Sequence, residues 1–213
     1  MRRYDIDWIR VFALILLIIY HAVISFMPFG HKAFFIENNE HLEILWILMA
    51  MINVWRIPIL FMVSGMGVYF AMRRHNWKEF LKDRTVRILL PFIFGFFFIC
   101  PINLYFLALH HDKDISYVPH SGHLWFLSNI FVYTILLLPI FIYMNKNKEN
   151  VTQKILSKLF HFRGGIICLS LIPMFETIII RSEFAIYGNT AHGFWLGFVC
   201  FFTGFALVSQ ENQ

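Results

Sequence analysis

Hydrophobic residues are gathered into runs long enough to cross a bilayer, and short polar segments separate these runs. A transmembrane helix needs roughly 20 mostly apolar residues, because each residue adds about 1.5 Å and the hydrocarbon core is about 30 Å thick. The pattern predicts six such helices, at residues 11–27, 52–71, 88–109, 124–143, 166–180 and 193–208. The predicted fold class is therefore all-α, a polytopic transmembrane helix bundle.

Composition excludes a soluble domain beside this bundle. Of the 213 residues, 59% are hydrophobic and 19% aromatic, and the mean hydropathy is +0.64. Such a chain lacks the polar surface that a water-soluble fold requires. The net charge of +5 does not indicate a nucleic-acid partner, because the basic residues lie in short loops between apolar runs. The partner that composition predicts is the lipid bilayer.

Basic residues alternate between the loops. One set of loops and the N-terminus hold most of them: Arg2, Arg3, Arg10, Arg73, Arg74, Lys78, Lys82, Arg84, Arg87, Lys146, Lys148, Lys154, Lys158 and Arg163. The opposite loops hold Lys32, Lys113 and Arg181. Since cytoplasmic loops carry the excess of Lys and Arg, we expect both termini in the cytoplasm and a multi-pass location in the plasma (inner) membrane.

The first span carries two ionisable residues on one face. Arg10 and His21 are eleven positions apart, which places them within about 20° of each other around a helix and about 16 Å apart along it. Ser25 extends this polar stripe, and Asp7 lies near its start. Arg10 alone fits a cytoplasmic charge anchor, whereas an imidazole within the membrane is costly and favours a functional role for His21.

The segment KDRTVRILLPF places Arg84 and Arg87 three residues apart, on one face of a helix at the expected cytoplasmic surface. Two guanidinium groups there suit phosphate groups, which arginine binds through two parallel hydrogen bonds. An anchor that only sets the topology explains the same spacing equally well.

Arg56 and Glu176 also lie within apolar runs, near the expected depth of His21. They predict an outer polar site that could hold an acceptor, or alternatively an interfacial Arg56 and a Glu176 paired with Arg181. The outer histidines lack the paired spacing of a metal site, and the three cysteines lie far apart inside apolar runs. No metal is expected.

Four motifs together resemble acyltransferase family 3, a family of membrane acyltransferases. They are DWIRVFALILLIIYH with its arginine and histidine, IPILFMVSGM, RTVRILLPF, and HLWFL before the fourth span. Their order and spacing match the family as far as about Tyr143. PINLYF and YTILLLPIF resemble the branch that includes glucan biosynthesis protein C.

The resemblance implies an enzyme that transfers an acyl group from cytoplasmic acyl-CoA to a hydroxyl of an extracytoplasmic glycan or glycolipid. His21 and Arg10 would be the essential pair, and Arg84 and Arg87 the donor-binding motif. Acyl-CoA is then a substrate, and no bound cofactor is implied. Family members have more spans than the six predicted here, so we expect residues 1–213 to form a single domain that is incomplete at its C-terminal end.

Two other functions fit the same residues. A proton-coupled transporter, or a fragment of one, could use His21, Arg56 and Glu176 as a relay. An inactive truncated remnant could still bind acyl-CoA or a partner. The sequence identifies neither the acyl group nor the acceptor, and it gives no oligomeric state.

The alternation of charge predicts which loops a membrane-impermeant thiol reagent can reach in intact cells. Single cysteines at Asn39, Asp114 and Gly188 should be labelled, because these loops are expected outside. Cysteines at Asn76 and Asn150 should be labelled only after the membrane is opened. Labelling of the Asn76 cysteine in intact cells would reverse the orientation.

Overall fold

The computed structural model describes residues 4–27, 30, 35–114, 116–146, 157–158, 162, 175 and 190–211. Five long helices account for most of them: α1 (Tyr4–Val23), α2 (Trp46–Met72), α3 (Trp77–His110), α4 (Trp125–Lys146) and α5 (Ala191–Glu211). Short 3-10 turns, Ile24–Phe26, Glu43–Leu45 and Gly122–Leu124, lie at the end of α1 and before α2 and α4. The described part contains no strand, so the all-α prediction is confirmed.

Each of these five helices is long and apolar enough to cross a membrane. They correspond to the first four predicted spans and the last one. The predicted span at residues 166–180 lies outside the described residues. Large apolar side chains such as Ile18 and Phe98 are 68% and 59% exposed, as expected of side chains that face lipid rather than water.

Two helices begin earlier than their apolar runs. Helix α1 starts at Tyr4 with Asp5 and Asp7 in its first turn, where carboxylates interact favourably with the helix dipole. Helix α3 starts at Trp77, after a capping box in which the Asn76 side chain accepts the Lys78 and Glu79 N–H groups. Hydropathy cannot detect these polar turns, which explains why the predicted spans are shorter.

Helix α3 contains two π turns, Thr85–Leu89 and Gly95–Ile99. Each ends two residues before a proline, at Pro91 and Pro101. A proline has no N–H and its ring collides with the carbonyl four residues earlier, so the backbone widens locally to keep its other hydrogen bonds. The two π turns therefore have the same ten-residue spacing as Pro91 and Pro101.

Tyr117 ties the loop after α3 back to the second π turn. Because Pro101 cannot donate to the carbonyl of Phe97, that oxygen needs another donor. The Tyr117 hydroxyl donates to it at 2.7 Å. In the hydrocarbon region an unsatisfied carbonyl is expensive, so this bond stabilises both the helix and the return of the loop.

The most extensive contact between helices is that of α2 with α5. It depends on glycine. A Cβ on Gly65 would collide with the backbone of Phe201, and one on Gly204 would collide with the backbone of Met62. Small residues allow this close approach of membrane helices. Gly65 on α2 and Gly204 on α5 thus serve packing.

Aromatic side chains of α2, α4 and α5 fill the core beside this glycine contact. Phe141 stacks on Phe205 with ring centroids 3.8 Å apart, and Tyr133 contacts Phe61 and Phe201. The buried Tyr133 hydroxyl donates to the Phe194 carbonyl at 2.6 Å. Helix α4 also packs against the first π turn of α3, which joins α3 to the core.

Replacing Gly204 with valine should destabilise the protein, because the new side chain must push α5 away from α2. We expect the free energy of unfolding to fall by about 1–3 kcal/mol, the usual range for overpacking. Thermal unfolding in detergent measures it. Ala22→Val, on the exposed face of α1, is the control and should unfold like the parent. Equal stability of the two variants would contradict the packing argument.

Candidate functional site

Two arginines from different helices converge on Gly67 of α2. The Arg84 Nη2 group donates to the Gly67 carbonyl at 3.2 Å. A Cβ on Gly67 would lie 3.3 Å from Nη2 of Arg10. Arg84 is partly buried over Phe80, and its Nε atom is buried with no acceptor among the described residues. We name Arg10, Gly67 and Arg84 the arginine cluster.

Arg87 does not join this cluster. Its Nε atom lies 2.6 Å from Oδ1 of Asp83 on its own helix, and its side chain is 76% exposed. The expectation that Arg84 and Arg87 share one face assumed a regular α-helix. The π turn that begins at Thr85 adds a residue to the turn and rotates Arg87 relative to Arg84. The two arginines therefore have different surroundings.

His21 has a defined tautomer. Its Nδ1 atom lies 2.7 Å from the Leu17 carbonyl, and a carbonyl oxygen can only accept, so Nδ1 carries the proton. The Nε2 atom then has a lone pair, as a general base requires. The ring contacts Tyr20, Phe35 and His123, with centroids 5.9, 5.7 and 5.4 Å away.

His123 reaches His21 from the turn before α4, and backbone contacts hold that turn. His120 donates from Nε2 to the Cys100 carbonyl at 3.1 Å and accepts the Gly122 N–H on Nδ1 at 2.9 Å. Gly122 has a φ of +44°, and a Cβ there would lie 2.9 Å from the Cys100 sulfur. Glycine is required for both reasons. We name His21 and His123 the histidine pair.

Arg56 lies next to the histidine pair and is buried between α1 and α2. Its Cζ atom is 3.5 Å from the centroid of the Tyr20 ring, and its Nη2 group donates to Oδ1 of Asn53 at 3.0 Å. Tyr20 directly precedes His21 and contacts its ring, so Arg56 is one residue removed from the histidine pair. The structure thus places Arg56 beside the candidate site.

These contacts also show that α1 and α2 are antiparallel. Arg10, early in α1, lies beside Gly67, late in α2, whereas Tyr20 lies on Arg56. The arginine cluster and the histidine pair are consequently at opposite ends of one interface. The separation of Arg10 from His21 along α1 is about 16 Å of helix rise, so an extended ligand could contact both.

Other predicted site residues lie elsewhere or beyond the described residues. Ser25 sits in the 3-10 turn after α1, and its carbonyl accepts the Asn38 N–H at 2.7 Å. Its predicted place on the polar stripe assumed an α-helix up to that point. Glu176 lies outside the described residues. In the part of the chain that is described, no three His, Cys, Asp or Glu side chains could hold a metal ion together.

Sequence reasoning missed two members of the site. His123 entered only as part of HLWFL and as one of the outer histidines, and Gly67 directly follows the motif IPILFMVSGM. The signal for His123 was a histidine beside a glycine at the expected outer end of a span. Gly67 gave no chemical signal, because its role is to leave space for guanidinium groups from other helices.

Fold and site together define a multi-pass helical membrane protein. The interface of its first two helices has the arginine cluster at one end and the histidine pair at the other. The family model described as "Acyltransferase domain" matches residues 3–212. The chain belongs to this family, acyltransferase family 3, as the four motifs predicted. The match continues well beyond Tyr143, where the visible resemblance ended. Comparison with curated proteins and with solved structures gave no significant match.

Proposed function

We propose that this protein transfers an acyl group from cytoplasmic acyl-CoA to a hydroxyl of an extracytoplasmic glycan or glycolipid. The observation that carries the proposal is the 2.7 Å contact of His21 Nδ1 with the Leu17 carbonyl: it places the proton of the neutral imidazole on Nδ1 and leaves Nε2 to accept one. This base lies on the same helix as Arg10, which meets Arg84 at Gly67. Family membership supports the reaction class.

Phosphate groups of acyl-CoA would bind at the arginine cluster. Two guanidinium groups from different helices approach one turn of α2, and like charges so placed are stabilised by an anion between them. The buried Nε of Arg84 offers a further donor. Arg87 could join after leaving Asp83, since its side chain is exposed.

The pantetheine arm would extend along the α1–α2 interface toward His21. His21 Nε2 would take the proton of the acceptor hydroxyl as its oxygen attacks the thioester carbonyl carbon. The new C–O bond forms, the C–S bond breaks, and the proton ends on the sulfur of the leaving CoA. The positive charge of Arg56 lies close enough to favour the negative charge that develops on the carbonyl oxygen.

Replacing an arginine by lysine keeps the positive charge but removes the planar fork of donors. Arg84→Lys should weaken acetyl-CoA binding by about tenfold, the scale of one lost charge-assisted hydrogen bond. Arg87→Lys should weaken it less, because Arg87 lies outside the cluster. The double variant should insert normally. Binding of radiolabelled acetyl-CoA to purified protein measures this. If the double variant binds with parental affinity, both arginines only set the orientation in the membrane and do not bind the donor.

Asparagine at position 21 is polar and similar in size but cannot accept a proton near neutral pH. His21→Asn should therefore retain acetyl-CoA binding and lose about 10²-fold or more of transfer, the scale of a missing general base. The assay is transfer of labelled acetyl groups from acetyl-CoA to envelope glycans, normalised to folded protein. Parental transfer by His21→Asn would disprove the base assignment. Proton coupling without any acylated product would favour the transporter instead.

A further inference from the structure

His123 contacts His21, the proposed general base. Its ring meets the His21 ring edge to face, with centroids 5.4 Å apart and planes at 85°. Phe35, in the loop between α1 and α2, covers both, with its centroid 4.9 Å from His123 and 5.7 Å from His21. Two imidazoles and a phenyl ring from three separate segments thus meet at one point.

The loop that carries Phe35 is held over this point. Its Asn38 N–H donates to the Ser25 carbonyl at 2.7 Å, and its Leu42 N–H donates to the Phe26 carbonyl at 3.0 Å. Both bonds fold the loop onto the end of α1. The Phe35 ring is consequently positioned to limit the access of water to the histidines.

His120 has the hydrogen bonds expected of a purely structural histidine. Both of its ring nitrogens are engaged by the backbone, at Cys100 and Gly122. By contrast, neither ring nitrogen of His123 has a hydrogen-bond partner among the described residues, and the ring is only partly exposed. Its ring nitrogens are therefore available to a ligand, unlike those of His120.

A catalytic group needs a fixed position, and the turn that carries His123 is held by several contacts. His120, Gly122 and Cys100 fix its backbone through the contacts described above, and the first residues of α4 follow immediately. A side chain on such a support keeps its position within the small tolerance that catalysis needs. His21 is fixed independently by Leu17.

We propose that His123 is a second catalytic residue, which donates a ring N–H to the thioester carbonyl oxygen. This inference rests on the proposed function. His21 takes the proton of the acceptor hydroxyl, the hydroxyl oxygen bonds to the carbonyl carbon, and His123 stabilises the negative charge on the carbonyl oxygen. The C–S bond then breaks as the carbonyl re-forms, and His21 returns its proton to the leaving sulfur.

Two substitutions separate this role from packing. Phenylalanine keeps the ring against His21 and Phe35 but has no N–H, so His123→Phe should lose about 10²-fold of transfer with acetyl-CoA binding unchanged. His123→Gln keeps an amide donor and should retain more transfer than His123→Phe. His110→Phe, at the exposed end of α3, is the matched control and should transfer like the parent. Parental transfer by His123→Phe would overturn the proposal.

Footprinting with diethylpyrocarbonate tests the same contact without relying on turnover or on the stability of a variant. Mass spectrometry reads the modification of each histidine in the native protein, with and without acetyl-CoA. Protection of His21 and His123, but not of His110, is the expected result. Protection of His21 alone would overturn the role of His123 and leave the proposed function standing. Protection of neither histidine would overturn both.

Discussion

The contact of Arg56 with Tyr20 fixes how α1 sits on α2. A guanidinium group buried in a membrane protein must find partners within the protein, since the lipid offers none. Arg56 finds the face of the Tyr20 ring and the side chain of Asn53. A desolvated cation–π contact stabilises by about 2 kcal/mol or more. Rotation of α1 would break this contact, so the face that carries Arg10 and His21 is held against α2.

The positions of Arg10 and His21 in the candidate site follow from that rotation. With Tyr20 on Arg56, the next residue, His21, lies against His123 and Phe35. Arg10, on the same face three turns earlier, lies beside Gly67. The glycine contact of α2 with α5 supports the other side of α2, so the helix that carries Arg56 and Gly67 is itself held in place. The α1–α2 interface therefore connects the arginine cluster, the proposed donor-binding site, with the histidine pair, the proposed site of acyl transfer.

The prolines of α3 have a similar indirect effect. A π turn precedes each of Pro91 and Pro101, and the first of these turns directs Arg87 away from Arg84. The second is stabilised from outside by Tyr117, whose loop continues through His120 to His123. The π turns of α3 are irregularities that would weaken an ordinary helix. In this protein they determine that Arg84 reaches α2 and where His123 lies.

The sequence by itself determined the class of protein, the family, and most of the helices. Continuous apolar runs have few alternatives to spanning helices, and Arg10 and His21 are related within one helix, whose periodicity is fixed by its backbone hydrogen bonds. Only the tertiary structure decided which residues of different helices meet. The meeting of Arg10 with Arg84 at Gly67, and of His21 with His123, depends on helix rotation, on a π turn and on a glycine in the left-handed region. These three features depend on packing between segments far apart in the chain, and the local periodicity of the sequence does not predict them.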